Sequence, residues 1–214
     1  MRDIKLPEIV LLHPLAGTVL LPRAQTTLSF QTTQELEIFQ KGLLSEGRYI
    51  GFVQPMAQKA DQEMPLFRHG SLARITGFQE SETGRIFVSF EGVSRFEILE
   101  KLSPVGGLHY ARVCYEAYQG DLKEIHKDPF VDRLRLLSAL KIYLQDQDMI
   151  MDWDDIEEIS DEFLLNSLAQ TCPFDNVEKQ ALLETKTLAE RCEIMTTLIE
   201  MASLTGKGRM ISYH

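Results

Sequence analysis

The sequence predicts an α+β fold in which a strand-rich part precedes a helical part. From Ile9 to about Tyr118, short apolar runs alternate with turns that contain Pro or Gly, which is typical of strands in a barrel or sandwich. After Gly120 the period of the apolar residues changes from two to about 3.6, which predicts helices. We therefore expect a β-rich subdomain over residues 1–120 and a helical subdomain over residues 121–214, which together form one domain.

The strand-rich part is predicted to contain short strands interrupted by one helix. Its early strands are expected at residues 9–12, 18–21, 27–30 and 49–54. Thr32 followed by Glu35 has the spacing of a capping box, which predicts a helix start, and Gly47 is a natural stop. The inward face of this helix is predicted to consist of Leu36, Phe39 and Leu43.

A polar loop and longer strands complete the strand-rich part. Residues 56–65 show no clean period, which predicts a surface loop. Further strands are expected at residues 72–79, 85–90, 93–99 and 109–117, with a turn at residues 81–84. Gly77 and Gly92 interrupt the apolar pattern and predict bulges or bends.

The helical part is predicted to be a bundle. Asp128 followed by Pro129 is typical of a helix start. The buried face of this helix is predicted to be Phe130, Leu134, Leu137, Leu140 and Leu144. An acidic stretch over residues 146–162 precedes a helix that carries Phe163, Leu164 and Leu168.

Two capping boxes organise the C-terminal end of the bundle. Asp175 with Glu178 is a variant in which Asp replaces Ser or Thr, and Thr187 with Glu190 is the usual form. The last helix is predicted to end at Gly206. Its apolar stripe is predicted to consist of Leu188, Cys192, Met195, Ile199 and Ala202.

Composition excludes several classes of function. The formal net charge is −10, and the basic residues are scattered, which argues against a grip on a phosphate backbone. No apolar run approaches the roughly 18 residues of a membrane span. The first ten residues lack the apolar core of a secretory signal, so we expect a cytoplasmic protein. The three cysteines show no C-x-x-C spacing, which argues against a disulfide framework or a zinc ribbon.

Two blocks of the sequence contain recognisable motifs. The first, from Leu66 to Ile98, contains a Gly, an Ala-Arg-Ile strand, a turn and a Gly-x-x-Arg-Phe strand, and the second reads PF-x-x-x-EKQ-x-LLE followed by L-x-E-R from Pro173 to Arg191. Together with residues 14–22, they resemble the substrate-binding N-terminal domain of Lon proteases, especially bacterial proteins that consist of this domain alone. The resemblance implies a PUA-like barrel followed by a helical subdomain.

The N-terminal sequence differs from the pattern that is common in this family. Family members commonly have a Gly after the second Pro, then an Ile-Phe-Glu segment and a Pro-Arg-Tyr helix start. This chain has Pro22-Arg23 and later Phe30-Gln31-Thr32-Thr33. Any binding role of the family's acidic and aromatic residues at this place is therefore not carried over to this chain.

The parts needed for catalysis are missing from the sequence. An ATP-dependent protease of this family needs a G-x-x-x-x-G-K-[ST] phosphate loop and a Ser-Lys pair, and neither occurs here. The acidic run from Asp146 to Glu158 lacks the Gly that an EF-hand turn requires. The five histidines share no ligand spacing, and G-x-S-x-G does not occur. We expect a protein without enzymatic activity, metal or cofactor.

Binding is the remaining class of function. Some apolar residues are not explained by core periodicity, and we predict that they contact unfolded or extended polypeptides: Met56, Met64, Leu66, Phe67 and Phe87. The plainer interpretation of these residues is loop anchoring. The Lon protease itself is a further candidate partner. RNA binding, which PUA-like folds perform elsewhere, and a small-molecule pocket between barrel and helices are the alternatives.

Overall fold

The computed structural model describes residues 5–56, 65–123, 128–146 and 153–205. The chain divides into two compact units, Met1–Leu122 and Lys123–His214. The mixed α+β fold class predicted from the sequence is confirmed. No helix in these described ranges is long and apolar enough to cross a membrane.

The first unit contains the strands and one α-helix. In chain order the elements are β1 (Ile9–Pro14), β2 (Gln25–Phe30), α1 (Thr33–Leu44), β3 (Tyr49–Val53), β4 (His69–Glu80), β5 (Ile86–Lys101) and β6 (His109–Cys114). Short 3-10 segments lie at Glu46–Arg48 and Glu116–Leu122.

The strands close into a ring. Neighbours pair in the order β2-β5-β4-β3-β1-β6, and an additional pairing of β6 with β5 completes the circle. β1 and β3 run parallel, and the other paired strands are antiparallel. The strand β5 is 16 residues long, so its first part can pair with β2 and its last part with β6. The result is a barrel with β2 added to the extended half of β5.

Both faces of β1 and β3 are buried, which explains the continuous apolar run in β1. Val10 and Leu12 belong to a cluster that draws residues from all strands of the ring, whereas Leu11 between them belongs to a second cluster. The second cluster also contains Ile38 and Phe39, which are the buried residues of α1 together with Gly42. α1 therefore covers one outer face of the barrel.

The predicted capping box of α1 is confirmed. The hydroxyl of Thr32 accepts a hydrogen bond from the N–H of Glu35 at 3.2 Å, and the Glu35 carboxylate accepts from the N–H of Thr32 at 2.9 Å. The predicted helix end is wrong, because α1 ends before Gly47. Ser45 caps it, with its hydroxyl donating to the carbonyl of Gly42 at 2.7 Å.

The strand predicted at residues 18–21 is not formed. Its apolar residues are fully buried, but the chain runs as an irregular segment beside Gly92. The N–H of Arg23 donates to the carbonyl of Gly92 at 2.7 Å, and the N–H of Gly92 donates to the carbonyl of Ala24 at 2.9 Å. A side chain at Gly92 would overlap the carbonyl of Leu21. Packing against the barrel therefore replaces strand pairing for this segment.

The predictions for the later strands are confirmed with two changes. The strands expected at residues 85–90 and 93–99 form the single strand β5, and β6 ends at Cys114 before a 3-10 segment. The register of β4 against β5 shifts between Leu72 and Ala73 and again between Ile75 and Gly77. The second shift is at Gly77, and the first is opposite Gly92, so both glycines lie at bulges as predicted.

The second unit is built from α2 (Arg133–Asp146), α3 (Trp153–Glu158), α4 (Asp161–Thr171), α5 (Asn176–Glu184) and α6 (Leu188–Thr205). Both predicted capping boxes are confirmed by reciprocal hydrogen bonds. The predicted stripe of α6 is also confirmed, since Leu188, Cys192, Met195 and Ile199 are buried and Ala202 is half-buried. The predicted stop at Gly206 lies outside the described residues.

The predicted start and face of α2 are partly wrong. Asp128 begins a turn, and Asp132 accepts the hydrogen bond from the N–H of Arg135 that starts the helix. Phe130 and Leu134 are 82% and 81% exposed, in contrast to the prediction. Leu140 and Leu144 are buried as predicted and Leu137 is half-buried. The other buried residues of the helix are Leu136, Ala139 and Tyr143.

Candidate functional site

The predicted binding residues do not form one surface. Met64 lies outside the described residues. Met56, Leu66 and Phe67 lie together at the base of the loop that follows β3. Phe87 lies near the start of β5, opposite Ser29 of β2, where it is 39% exposed. Leu66 and Phe67 lie just before the start of β4, whereas Phe87 pairs with Gln79 near the end of β4. The two groups are therefore at opposite ends of the β4–β5 pair.

The base of this loop is held by backbone hydrogen bonds. The N–H of Met56 donates to the carbonyl of Pro65 at 2.7 Å, and the N–H of Phe67 donates to the carbonyl of Gln54 at 3.0 Å. Met56 remains 40% exposed, and Phe67 is half-buried. Leu66 packs against the barrel core, as the plainer interpretation of loop anchoring expects.

Leu66 also lines a cavity in the first unit, which has a volume of about 410 Å³. Three parts of the fold surround it: the first turn of α1, the C-terminal half of β1, and the adjoining ends of β5 and β6. A smaller cavity of about 290 Å³ lies between Ile9, Lys41 and Tyr49. The larger cavity has the size of a site for a small ligand or for one or two side chains.

His13 is the most unusual residue of the larger cavity, because it is polar and only 7% exposed. Its ring lies 5.5 Å from that of Phe30 and 5.9 Å from that of Phe52, measured between centroids. Burial lowers the pKa of His13 below its ordinary value, and the charge of Glu35 opposes this shift only in part. The imidazole is therefore neutral at pH 7, with one donor and one acceptor nitrogen.

Glu35 contributes a carboxylate that already has partners. Its Oε2 accepts hydrogen bonds from the N–H of Gln31 at 3.0 Å and from the N–H of Thr32 at 2.9 Å. Burial would raise the pKa of Glu35, but the hydrogen bonds from Thr32 and Gln31 outweigh it and hold the pKa below its ordinary value. Glu35 is thus a fixed anion and a poor proton donor.

Lys101, at the end of β5, and His109, at the start of β6, add further polar groups to the same cavity. Leu12, Ile38 and Leu66 supply apolar walls. Neither Ser nor Cys lines the cavity, and no cluster of metal-ligating side chains occurs in the described part of the chain. The arrangement can hold an amphipathic ligand reversibly.

The arginine of the Gly-x-x-Arg-Phe motif, Arg95, has a structural role. Arg95 donates to both carboxylate oxygens of Asp121 at 2.9 and 2.7 Å, and its backbone N–H donates to the same carboxylate at 2.8 Å. The guanidinium lies 4.3 Å from the ring centre of Tyr118, whose hydroxyl is 2.7 Å from Nδ1 of His69. This buried network fixes the 3-10 segment to the barrel.

Sequence reasoning missed the cavity. Residues 13, 35 and 101 are far apart in the chain and share no motif spacing. The one local signal is His13 itself, a polar residue that directly follows three buried aliphatic residues of a strand with both faces covered.

The comparisons with known proteins agree on one family. The family model of the ATP-dependent protease La (LON) substrate-binding domain matches residues 9–201. This chain belongs to that family. No protein matches in the comparison with curated proteins.

Two solved structures show that the Lon substrate-binding domain fold extends along most of this chain. The Lon N-terminal domain protein from Xanthomonas campestris is 17% identical with a TM-score of 0.62, and the match covers 88% of this chain and 97% of that one. The N-terminal domain of the Mycobacterium avium complex Lon protease is also 17% identical with a TM-score of 0.62, and the match covers 89% and 97%. At this level of identity the likeness concerns the fold.

Proposed function

We propose that this chain is a non-catalytic module that binds unfolded or extended polypeptides in the cytoplasm and acts as an adaptor or a chaperone-like factor. The Lon protease is its second proposed partner. The observation that carries this proposal is membership of the Lon substrate-binding domain family, matched over residues 9–201. The subdomains proposed at residues 1–120 and 121–214 would act together as one such domain.

Exposed features of the first unit support polypeptide binding. Within the described strands β2 pairs with β5 alone, so its other edge is open to an added strand. Phe87 lies on β5 beside β2, where it is 39% exposed. An extended polypeptide could pair with the edge of β2 and contact this ring. The net charge of −10 favours basic segments in such clients.

The test measures suppression of aggregation of a chemically denatured client, together with direct binding of a labelled unfolded polypeptide. Phe87→Ser removes about 1–2 kcal/mol of apolar contact, which corresponds to a loss of affinity of about 5- to 30-fold. Met56→Ser should weaken binding in the same direction. Leu44→Ser is the matched control, because Leu44 is 84% exposed at the end of α1 and away from both proposed contacts.

The outcomes separate the proposal from its rivals. Equal losses with Phe87→Ser and Leu44→Ser would indicate nonspecific apolar contact. Absence of any interaction at tens of micromolar client would contradict the proposed function. Capture of partners that disappears on RNA digestion would favour RNA binding.

A small-ligand-binding protein is the second candidate function. The cavity of about 410 Å³ beside His13 favours it, because that volume lies within the range of small-molecule sites. Thermal unfolding with a library of metabolites would test it, since a ligand that binds the folded state alone raises the unfolding temperature.

A further inference from the structure

His13 is only 7% exposed. Its ring nitrogens form no hydrogen bond with the residues that the structure describes. His13 borders a cavity large enough for a ligand group, so a bound molecule could supply the missing partner. The position therefore has the character of a binding site rather than of a packed core.

We propose that this cavity binds the C-terminal residue of a polypeptide, with its apolar side chain against Leu12, Ile38 and Leu66 and its carboxylate towards Lys101 and the first turn of α1. The inference rests on the proposed polypeptide-binding function and names the part of the client that the cavity recognises. His13 would hydrogen-bond the terminal residue with one ring nitrogen.

The charges around the cavity favour a carboxylate. The ammonium of Lys101 forms no ion pair with any residue in the described ranges, so it is available to a ligand. Thr33 and Gln34 occupy the first two positions of α1, and the helix itself provides no acceptor for N–H groups at those positions. The N-terminal end of α1, where the helix dipole is positive, lines the cavity at Thr32 and Gln34.

Among the described residues that line the cavity, Glu35 is the one with a carboxylate, and it could repel such a ligand. Its Oε2 already accepts two backbone N–H groups at the start of α1, which offsets part of its charge. The Lys101 ammonium and the first-turn N–H groups of α1 place positive charge at the cavity. An anionic group therefore fits better than a polypeptide's N-terminal ammonium.

The experiment uses the full chain and labelled eight-residue peptides that share one sequence and an acetylated N-terminus. One peptide ends in Leu with a free carboxylate, one ends in Leu amide, and one ends in Asp with a free carboxylate. Fluorescence polarisation at low salt should give the tightest binding for the Leu acid, and binding about tenfold or more weaker for the other two.

Two variants locate the site. Lys101→Glu should abolish the preference for the free acid over the amide, whereas Lys41→Glu, which makes the same charge change beside the smaller cavity, should leave it unchanged. In the wild-type protein, nitrogen chemical shifts of the His13 ring should move when the Leu acid is added. That measurement needs no substitution at a buried position.

Each contrary result has a definite meaning. Equal binding of acid and amide, or equal behaviour of the two lysine variants, would overturn the C-terminal proposal while leaving polypeptide binding intact. Decanoate shares an apolar chain and a carboxylate. If decanoate shifts the His13 signals and no peptide does, the cavity serves a free fatty acid and the proposal fails. If the Leu acid binds but clients are not protected from aggregation, the chaperone-like function fails and the C-terminal site stands.

Discussion

The buried ion pair between Arg95 and Asp121 should be the most sensitive polar contact of the first unit. The two side chains are 4% and 7% exposed, and the carboxylate accepts three hydrogen bonds from Arg95. Asp121→Asn keeps the shape but removes the negative charge that faces the buried guanidinium. Breaking one partner of such a pair costs about 3–5 kcal/mol, which is a large part of a typical stability of about 5–15 kcal/mol.

A matched control is provided by the pair between Arg74 and Glu91, which are 46% and 27% exposed. It has a comparable distance of 2.6 Å, but solvent screens it, so Glu91→Gln should cost less than about 1 kcal/mol. Because the chain has two compact units, the free energy should be read from hydrogen exchange of the β4 and β5 amides rather than from one unfolding midpoint.

Two outcomes would refute the reasoning for Arg95 and Asp121. If Asp121→Asn lowers the protection of the barrel amides by less than about 1 kcal/mol, the pair does not behave as a buried one. If the double variant Arg95→Met with Asp121→Leu is as unstable as Asp121→Asn, the unpaired charge is not the cause of the loss. We expect the double variant to recover part of the loss, because it removes the buried charge, and only part, because the backbone N–H of residue 95 loses its acceptor.

Two further predictions concern His13 and the bulge glycines. Burial lowers the pKa of His13 below its ordinary 6.5, so the unfolded chain binds a proton that the folded chain does not. The free energy of unfolding should therefore fall as the pH decreases from 6.5 towards the folded-state pKa. His13→Gln should reduce this slope in a series of denaturation measurements at different pH. Gly92→Ala should destabilise the barrel by about 3 kcal/mol, because its methyl group overlaps a backbone carbonyl, whereas Gly77→Ala, with open space around it, should change stability by about 0.5 kcal/mol or less in the same hydrogen-exchange measurement.

Local signals predicted the local features of this fold. The capping boxes at Thr32, Asp175 and Thr187 form as expected, because each requires only residues three positions apart. The start of α2 shows the limit of such signals. Asp128 and Asp132 can both cap a helix, and the choice of the later one depends on which face packs, so the exposed positions of Phe130 and Leu134 were not predictable from spacing.

The prediction of a strand at residues 18–21 was wrong for a different reason. Its apolar run is buried, as a strand would be, and period alone does not distinguish the two cases. What decides is the approach of the chain to Gly92, where the backbone of Leu21 lies too close for any side chain. Gly92 is more than 70 positions away in the sequence, so the contact that excludes strand pairing is invisible until the barrel is built.

The candidate site could not be predicted for the same physical reason, and this is also an argument for its role. His13 lies in a strand with both faces buried and is itself only 7% exposed, so the barrel gives its imidazole little access to solvent. The fold places Phe30 and Phe52 beside its ring and an open cavity next to them. Simple stability would favour an aliphatic residue at this position. A histidine there is explained if a ligand completes its hydrogen bonds, and the peptide and decanoate measurements decide which ligand does so.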